Sequence, residues 1–420
     1  MDLIETFGAK IGALSEEKPQ RARQLLTAGF RANGVKNKLA SKRSSKSDRM
    51  LFQLVNRAMV TCLANPQSNV MVSLFTPCEM LHLQGLHPYS CEGFSSYLSG
   101  AMAEQPFLHQ AEDTGIPNSL CSYHKVFIGA AQMGLMPKPR FILSTSLACD
   151  ANTLTFRHLA QFYDVPHFNV DIPFESSPQA VDYVAGQLRQ MGEFLTQQTG
   201  LPLDDGQLAR TVARSQRTMA LYHRGLRLRA GRQVLSDLTS ELLRTAAFHF
   251  LLGTPETEAY ARQLLREITT APPAQGKQLL WIHTTPYWVA PLRHLFAQST
   301  RVQVAACDMS YEGIVEADPT KPYEAMARRL VYSPFNGPAQ RRIDRALEMA
   351  KTVGADGAVW FCHWGCKHTL GGARLGKEAL EEAGLPTLLL DGDSCDRGFG
   401  GEGQAATRME AFLEVLEGMA

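Results

Sequence analysis

Nine cysteines punctuate this chain, and their surroundings divide them. A thiolate is a soft ligand that suits zinc or an iron–sulfur cluster. A free thiol can equally be a small buried hydrophobe. Cysteines in loops at strand ends are available for ligation, whereas those inside helices and strands usually pack. Six pass this test. Cys149 follows the apolar run at 141–146, Cys362 closes a run that begins near Ala358, and Cys366 lies one turn further. Cys395 follows Leu388-Leu389-Leu390-Asp391-Gly392-Asp393. Cys91 and Cys121 follow stretches that carry glycine and proline, Gly85 to Pro88 and Gly115 to Pro117. Cys62, inside a helical pattern, reads as core. Cys307, at a strand end beside Asp308, reads either way. Cys78 sits at a helix start, where a thiol pKa falls, and ranks below the six.

Structural zinc takes paired cysteine knuckles, and only Cys362-x-x-x-Cys366 resembles one. Ferredoxin-type C-x2-C-x2-C runs are absent. Scattered cysteines from two halves of a chain suit a cluster in an interdomain cleft, but spacing alone leaves buried free thiols open. Proton-moving candidates near these cysteines are His363 and His368, which flank Cys366, with His124 and Glu92. Each taken singly reads as well as a structural residue. Lys125, Lys367 and Arg397 either offset cluster charge or are plain surface charge. The glycine-rich run Gly398-Phe399-Gly400-Gly401-Glu402-Gly403 allows close backbone approach to a cluster, with a solvent loop as the alternative. No G-x-x-x-x-G-K-[ST] loop occurs, so ATP binding of that kind is not expected here.

The elements that position these residues follow from patterning. The segment 1–65 reads as helical, with one helix opening at Ser15-Glu16-Glu17-Lys18, another at 50–63, and a solvated basic loop at 31–49. A first α/β unit spans 66–176, with strands at 70–75, 141–146 and 165–172. A helical region spans 177–270, and Ala271-Pro272-Pro273-Ala274 marks a boundary. A second α/β unit spans 271–420, with strands at 278–283, 302–307, 358–362 and 387–391. Strand–helix–strand alternation makes the fold class α/β with parallel sheets. The 420 residues are 45% hydrophobic with a formal charge of +1, which supports a large core and implies neither nucleic acid nor an anionic membrane as partner. No apolar run reaches membrane-spanning length. Met1-Asp2-Leu3-Ile4-Glu5 lacks the features of a secretory signal, so a reducing cytoplasm is expected and disulfides are not.

Several segments resemble the cluster-bearing component of the 2-hydroxyacyl-CoA dehydratase / benzoyl-CoA reductase superfamily, from about Thr76 onward. They are Thr76-Pro77-Cys78-Glu79 with Gly85 and Pro88, Leu120-Cys121-Ser122-Tyr123, Ala148-Cys149-Asp150, and Pro166-x-Phe168 with Asp171-x-Pro173. The C-terminal pair is the most specific: Gly384-Leu385-Pro386 through Asp391-Gly392-Asp393, and Gly403-Gln404-x-x-Thr407-Arg408. The resemblance implies two flavodoxin-like domains, usually as a homodimer, and a separate ATP-hydrolysing iron–sulfur activator that delivers low-potential electrons. It places a single [4Fe–4S] cubane on Cys91, Cys121 and Cys366. The additional Cys149, Cys362 and Cys395 make the chain look most like the double-cubane [8Fe–9S] proteins, which reduce small molecules. An (R)-2-hydroxyacyl-CoA dehydratase subunit and a non-enzymatic electron-storage protein are the alternatives.

Overall fold

A computed structural model describes residues 3–39, 45–234, 236–311, 315–399 and 401–419. Two four-stranded parallel sheets organise it. The first contains β1 (Asn69–Val72), β2 (His87–Ser90), β3 (Phe141–Thr145) and β4 (His167–Val170). The second contains β5 (Lys277–Ile282), β6 (Val302–Cys307), β7 (Gly357–His363) and β8 (Thr387–Gly392). Their orders are β2-β1-β3-β4 and β6-β5-β7-β8, so both halves repeat one doubly wound topology. Strands β1, β3, β6 and β7 are buried at every residue. Helices cover both faces of such a sheet, which is why these strands read as continuous apolar runs.

Three elements differ from expectation. Residues 15–17 close the helix Leu3–Glu17 rather than open one, because Pro19 begins the next helix, Pro19–Leu39. Consequently Arg31 and its neighbours through residue 39 are helical, not loop; residues 40–44 lie outside the described set, as does Gly400. Strand β2 escapes the pattern because it carries Pro88, which has no N–H to donate. Its place at the sheet edge tolerates that loss. Finally, where the pattern predicts a helix over 375–383, closed by Gly384, the structure has one from Lys367 to Glu382, beginning two turns earlier.

The helical region packs across the N-terminal helices. Helix Lys46–Ala64 lies against helices Leu238–Phe250 and Pro255–Thr270. Glu241, Arg244 and Tyr260 form a buried polar knot there, with Arg244 donating to Glu241 at 2.6 Å and to the Tyr260 hydroxyl at 3.1 Å. Glu79, in the first unit, receives two hydrogen bonds from Arg329 of the second, at 2.7 and 3.0 Å. Among the described residues no helix is long and apolar enough to cross a membrane.

Candidate functional site

Ligands of open parallel sheets sit beyond the carboxyl ends of the strands. Here both sheets direct those ends to one cavity of about 910 Å³. Cys149, Cys366 and Cys121 line it. Cys149 follows β3 and Cys366 follows β7, so the two occupy equivalent places in the two sheets. Cys121 comes from outside the strands, after the helix Gln105–Asp113. Each of the three is the residue immediately before a helix: Ser122–Gln132, Asp150–Tyr163 and Lys367–Glu382. The unpaired N–H groups and positive ends of three helices therefore meet at the cavity, which favours thiolate or an anionic cluster there.

Cys121 and Cys366 are held together by Gly365. Its φ is +77°, and a Cβ there would lie 2.7 Å from both the Cα and the N of Cys121. No side chain larger than hydrogen fits. Next to Cys149, Ala148 adopts φ +81°, a conformation costly for a residue with a Cβ. Burial pushes the Cys121 thiol up, reinforced by Cys366, Asp393 and Cys149. Burial also pushes Cys149 up, to about 12. Among the described residues no cation is a main cause acting on the Cys121 or Cys149 thiol, so neither is set up as an activated nucleophile.

Cys91 and Cys395 are fully buried behind that wall. The Cys91 sulfur lies 3.5 Å from the Tyr123 carbonyl oxygen and 3.7 Å from His124 Nδ1. Cys395 Sγ lies 3.6 Å from the Ser95 carbonyl oxygen. Burial and Glu92, then Cys121 and Cys395, push the Cys91 thiol up. Cys362 is placed elsewhere. Successive strand residues face opposite sides, so if His363 reaches the cavity Cys362 must turn away. Its neighbours are Asp391 and Arg408. Of the six thiols, three line the cavity, Cys91 and Cys395 lie close enough to act electrostatically on one another or on those three, and Cys362 stands apart. Cys78, expected to have a lowered pKa, is instead buried and pushed up by burial and Glu79.

The polar residues divide in the same way. His363 Nδ1 accepts the Ser394 N–H at 3.1 Å, which leaves the proton on Nε2, 3.2 Å from Cys121 Sγ. His363 thus donates to a cysteine sulfur. His368 is tied at both nitrogens, to Arg342 at 3.3 Å and to the Phe335 carbonyl at 3.2 Å. Burial pushes it down to about 4, as it does His124. Glu92 lines the cavity; burial raises its carboxyl to about 7. Its Oε2 has no hydrogen-bond partner among the described residues. Lys125 is committed to Glu112 at 2.6 Å and to the Asn118 carbonyl at 3.0 Å, away from the thiols. Arg397 donates to Glu104 at 2.8 Å, and Lys367 is exposed.

Asp393 and Gly365 are residues that sequence reasoning passed over. Asp393 accepts from Ser122 at 2.6 Å and from the backbone of Cys395 and Asp396 at 2.7 Å. It thereby joins the helix after Cys121 to the loop of Cys395. The available signal was its place directly after β8.

The chain is 22% identical over 337 residues to the (R)-phenyllactyl-CoA dehydratase alpha subunit of Clostridium sporogenes, covering 74% of this chain and 80% of that protein. Residues 73–416, most of the chain, match the family model for the 2-hydroxyglutaryl-CoA dehydratase D-component, and this chain belongs to that family.

Proposed function

We propose that Cys121, Cys149 and Cys366 hold one [4Fe–4S] cluster, and that the chain works as a 2-hydroxyacyl-CoA dehydratase subunit supplied with electrons by an ATP-hydrolysing activator protein. The observation that carries this reading is the convergence of these three thiols on a single cavity at the ends of both sheets. This trio replaces Cys91 with Cys149 relative to the resemblance, because Cys149 stands on the cavity wall and Cys91 behind it. Among the described residues no three His, Cys, Asp or Glu side chains gather at the spacing of a single ion. Three thiols spread around a larger cavity match a polynuclear group, in which each binds its own iron. Held by these three thiolates, a cubane would supply a low-potential electron and a Lewis acid.

The protein's own residues supply the rest. Removing water from a 2-hydroxyacyl thioester breaks a C–O bond and takes one proton from the adjacent carbon, with no net change in electrons. Glu92, poised near neutral pH and facing the cavity, is suited to hold that proton. His363 fixes the Cys121 sulfur through its Nε2–H. The aromatic cavity walls fit the aryl substrate named for the Clostridium relative. Pairing with a sister subunit is the assembly this reading favours over a homodimer.

A second reading has its own observation. Cys91 and Cys395 lie beside Cys121, as the double-cubane reductase requires, although the sixth thiol, Cys362, faces away. Iron and sulfide analysis of anaerobically purified protein separates the two. About four irons per chain, lost in Cys121→Ser, Cys149→Ser and Cys366→Ser but retained in Cys362→Ser, is the expected result. About eight irons would transfer the chain to the reductase class. Iron that neither dehydrates nor reduces with the activator present would make it an electron store.

A further inference from the structure

The family match begins at residue 73. Three helices precede it, Leu3–Glu17, Pro19–Leu39 and Lys46–Ala64, and all three line the same cavity as the thiols. They contribute Leu3, Phe7, Phe30, Ala32 and Phe52 among others. This segment is fixed to the family fold at several points. The Arg23 guanidinium donates to the carbonyls of Leu135, Gly134 and Met136 at 2.8, 2.9 and 3.0 Å. A Cβ on Gly8 would run into the Met102 carbonyl, so the first helix lies directly on the turn after the helix that starts with Cys91. Phe30 meets Tyr97 of that same helix edge-to-face, with centroids 5.0 Å apart.

A purely structural role would not explain the exposure of this wall's apolar residues. Leu3 is 83% exposed and Ile4 44%, yet both border the cavity. Ala32 is also exposed on the cavity side. Leu242, Ala246 and Trp288 line the same cavity. Apolar side chains lining both sides of an open cavity gain stability when an apolar ligand displaces water from them.

We propose that the N-terminal helices form the specificity wall of the cavity and bind the apolar acyl or aryl tail of the substrate while its thioester end lies toward Cys149 and Glu92. This rests on the thioester reading of the site. Selectivity among substrates would then be carried by a segment outside the family match, on a reaction centre inside it.

Calorimetric binding of octanoyl-CoA and acetyl-CoA to the cluster-loaded protein tests this, with anilinonaphthalene sulfonate as a probe that carries no coenzyme. Octanoyl-CoA should bind at least about tenfold more tightly than acetyl-CoA, because its tail buries several more methylenes. Ala32→Trp, an exposed position that fills the cavity without disturbing the core, should remove most of that preference and leave acetyl-CoA binding and iron content unchanged. Phe52→Ala should weaken octanoyl-CoA binding by roughly threefold, for lost contact area. Equal affinity for the two thioesters, or an equal loss for both in Ala32→Trp, would overturn the wall. If neither thioester binds but the dye binds and Ala32→Trp expels it, the thioester reading fails and the apolar wall stands. A dye that fails to bind, or that binds the variant equally well, overturns the wall as well.

Discussion

At the scale of residues, β7 holds the most instructive pair. Cys362 and His363 are neighbours, and the period of two along a strand sends them to opposite faces. That rule was available in the sequence, where the apolar run 358–362 ends on Cys362, yet strand-end position alone treated both as site residues. Gly365 was harder to read. Its role depends on the backbone of Cys121, more than two hundred residues away in sequence, and no local pattern reports such a contact. The Gly365→Ala substitution forces a Cβ into that backbone at a left-handed φ. It should destabilise the protein by about 2 kcal/mol or more in denaturant unfolding, and lower the iron bound per chain. Full iron content with unchanged stability would show that Cys121 and Cys366 are not held by this contact.

At the scale of elements, long periodic helices and fully buried strands were legible. The pattern after Pro338 predicts a helix over 339–353, where the structure has Ala339–Val353, and the strands after residue 270 fall within a residue or two of their predicted ranges. What was not legible was set by tertiary context: an edge strand built around Pro88, and a helix that extends back to Cys366 to present its N-terminus. Helix Lys46–Ala64 gives this a measurable form. Asp48 stands in its first turn, with the Ser45 hydroxyl capping the Asp48 N–H at 3.0 Å. Burial raises the Asp48 carboxyl to about 6; Arg244 opposes this, while Asp237 and Glu241 add to it. Tyr260 also faces it. Below the ordinary carboxyl range both folded and unfolded states carry the proton. As pH rises toward 6 the unfolded chain ionises first, so the folded state loses stability over that interval. Asp48→Asn should flatten the slope between about pH 4 and 6 and stabilise the protein by on the order of 1–2 kcal/mol at pH 8. A variant with the wild-type pH slope would locate the dependence elsewhere.

At the scale of the whole molecule, the site exists only because two sheets of the same order face each other. Cys149 after β3 and Cys366 after β7 are the same position used twice, and Cys121 is brought in beside them from a connecting segment. The relative placement of the two units must therefore be held firmly. The Glu79–Arg329 pair does this across the units, with Ser215 also donating to Glu79 at 2.9 Å. Burial alone would raise the Glu79 carboxyl, but Arg329 pulls it below the ordinary range, so it is ionised in the folded state. Removing only the guanidinium strands a buried carboxylate. Arg329→Leu should cost about 3–5 kcal/mol, whereas Glu79→Leu combined with Arg329→Leu should recover much of it. A lock between units predicts more than that stability difference. The single variant should also lose iron in proportion to the separation of Cys149 from Cys366, and the double variant should regain it. If stability falls while iron per folded chain stays constant, the pair stabilises the fold without positioning the thiols, and the helices beneath the cavity must hold the two sheets in register by themselves.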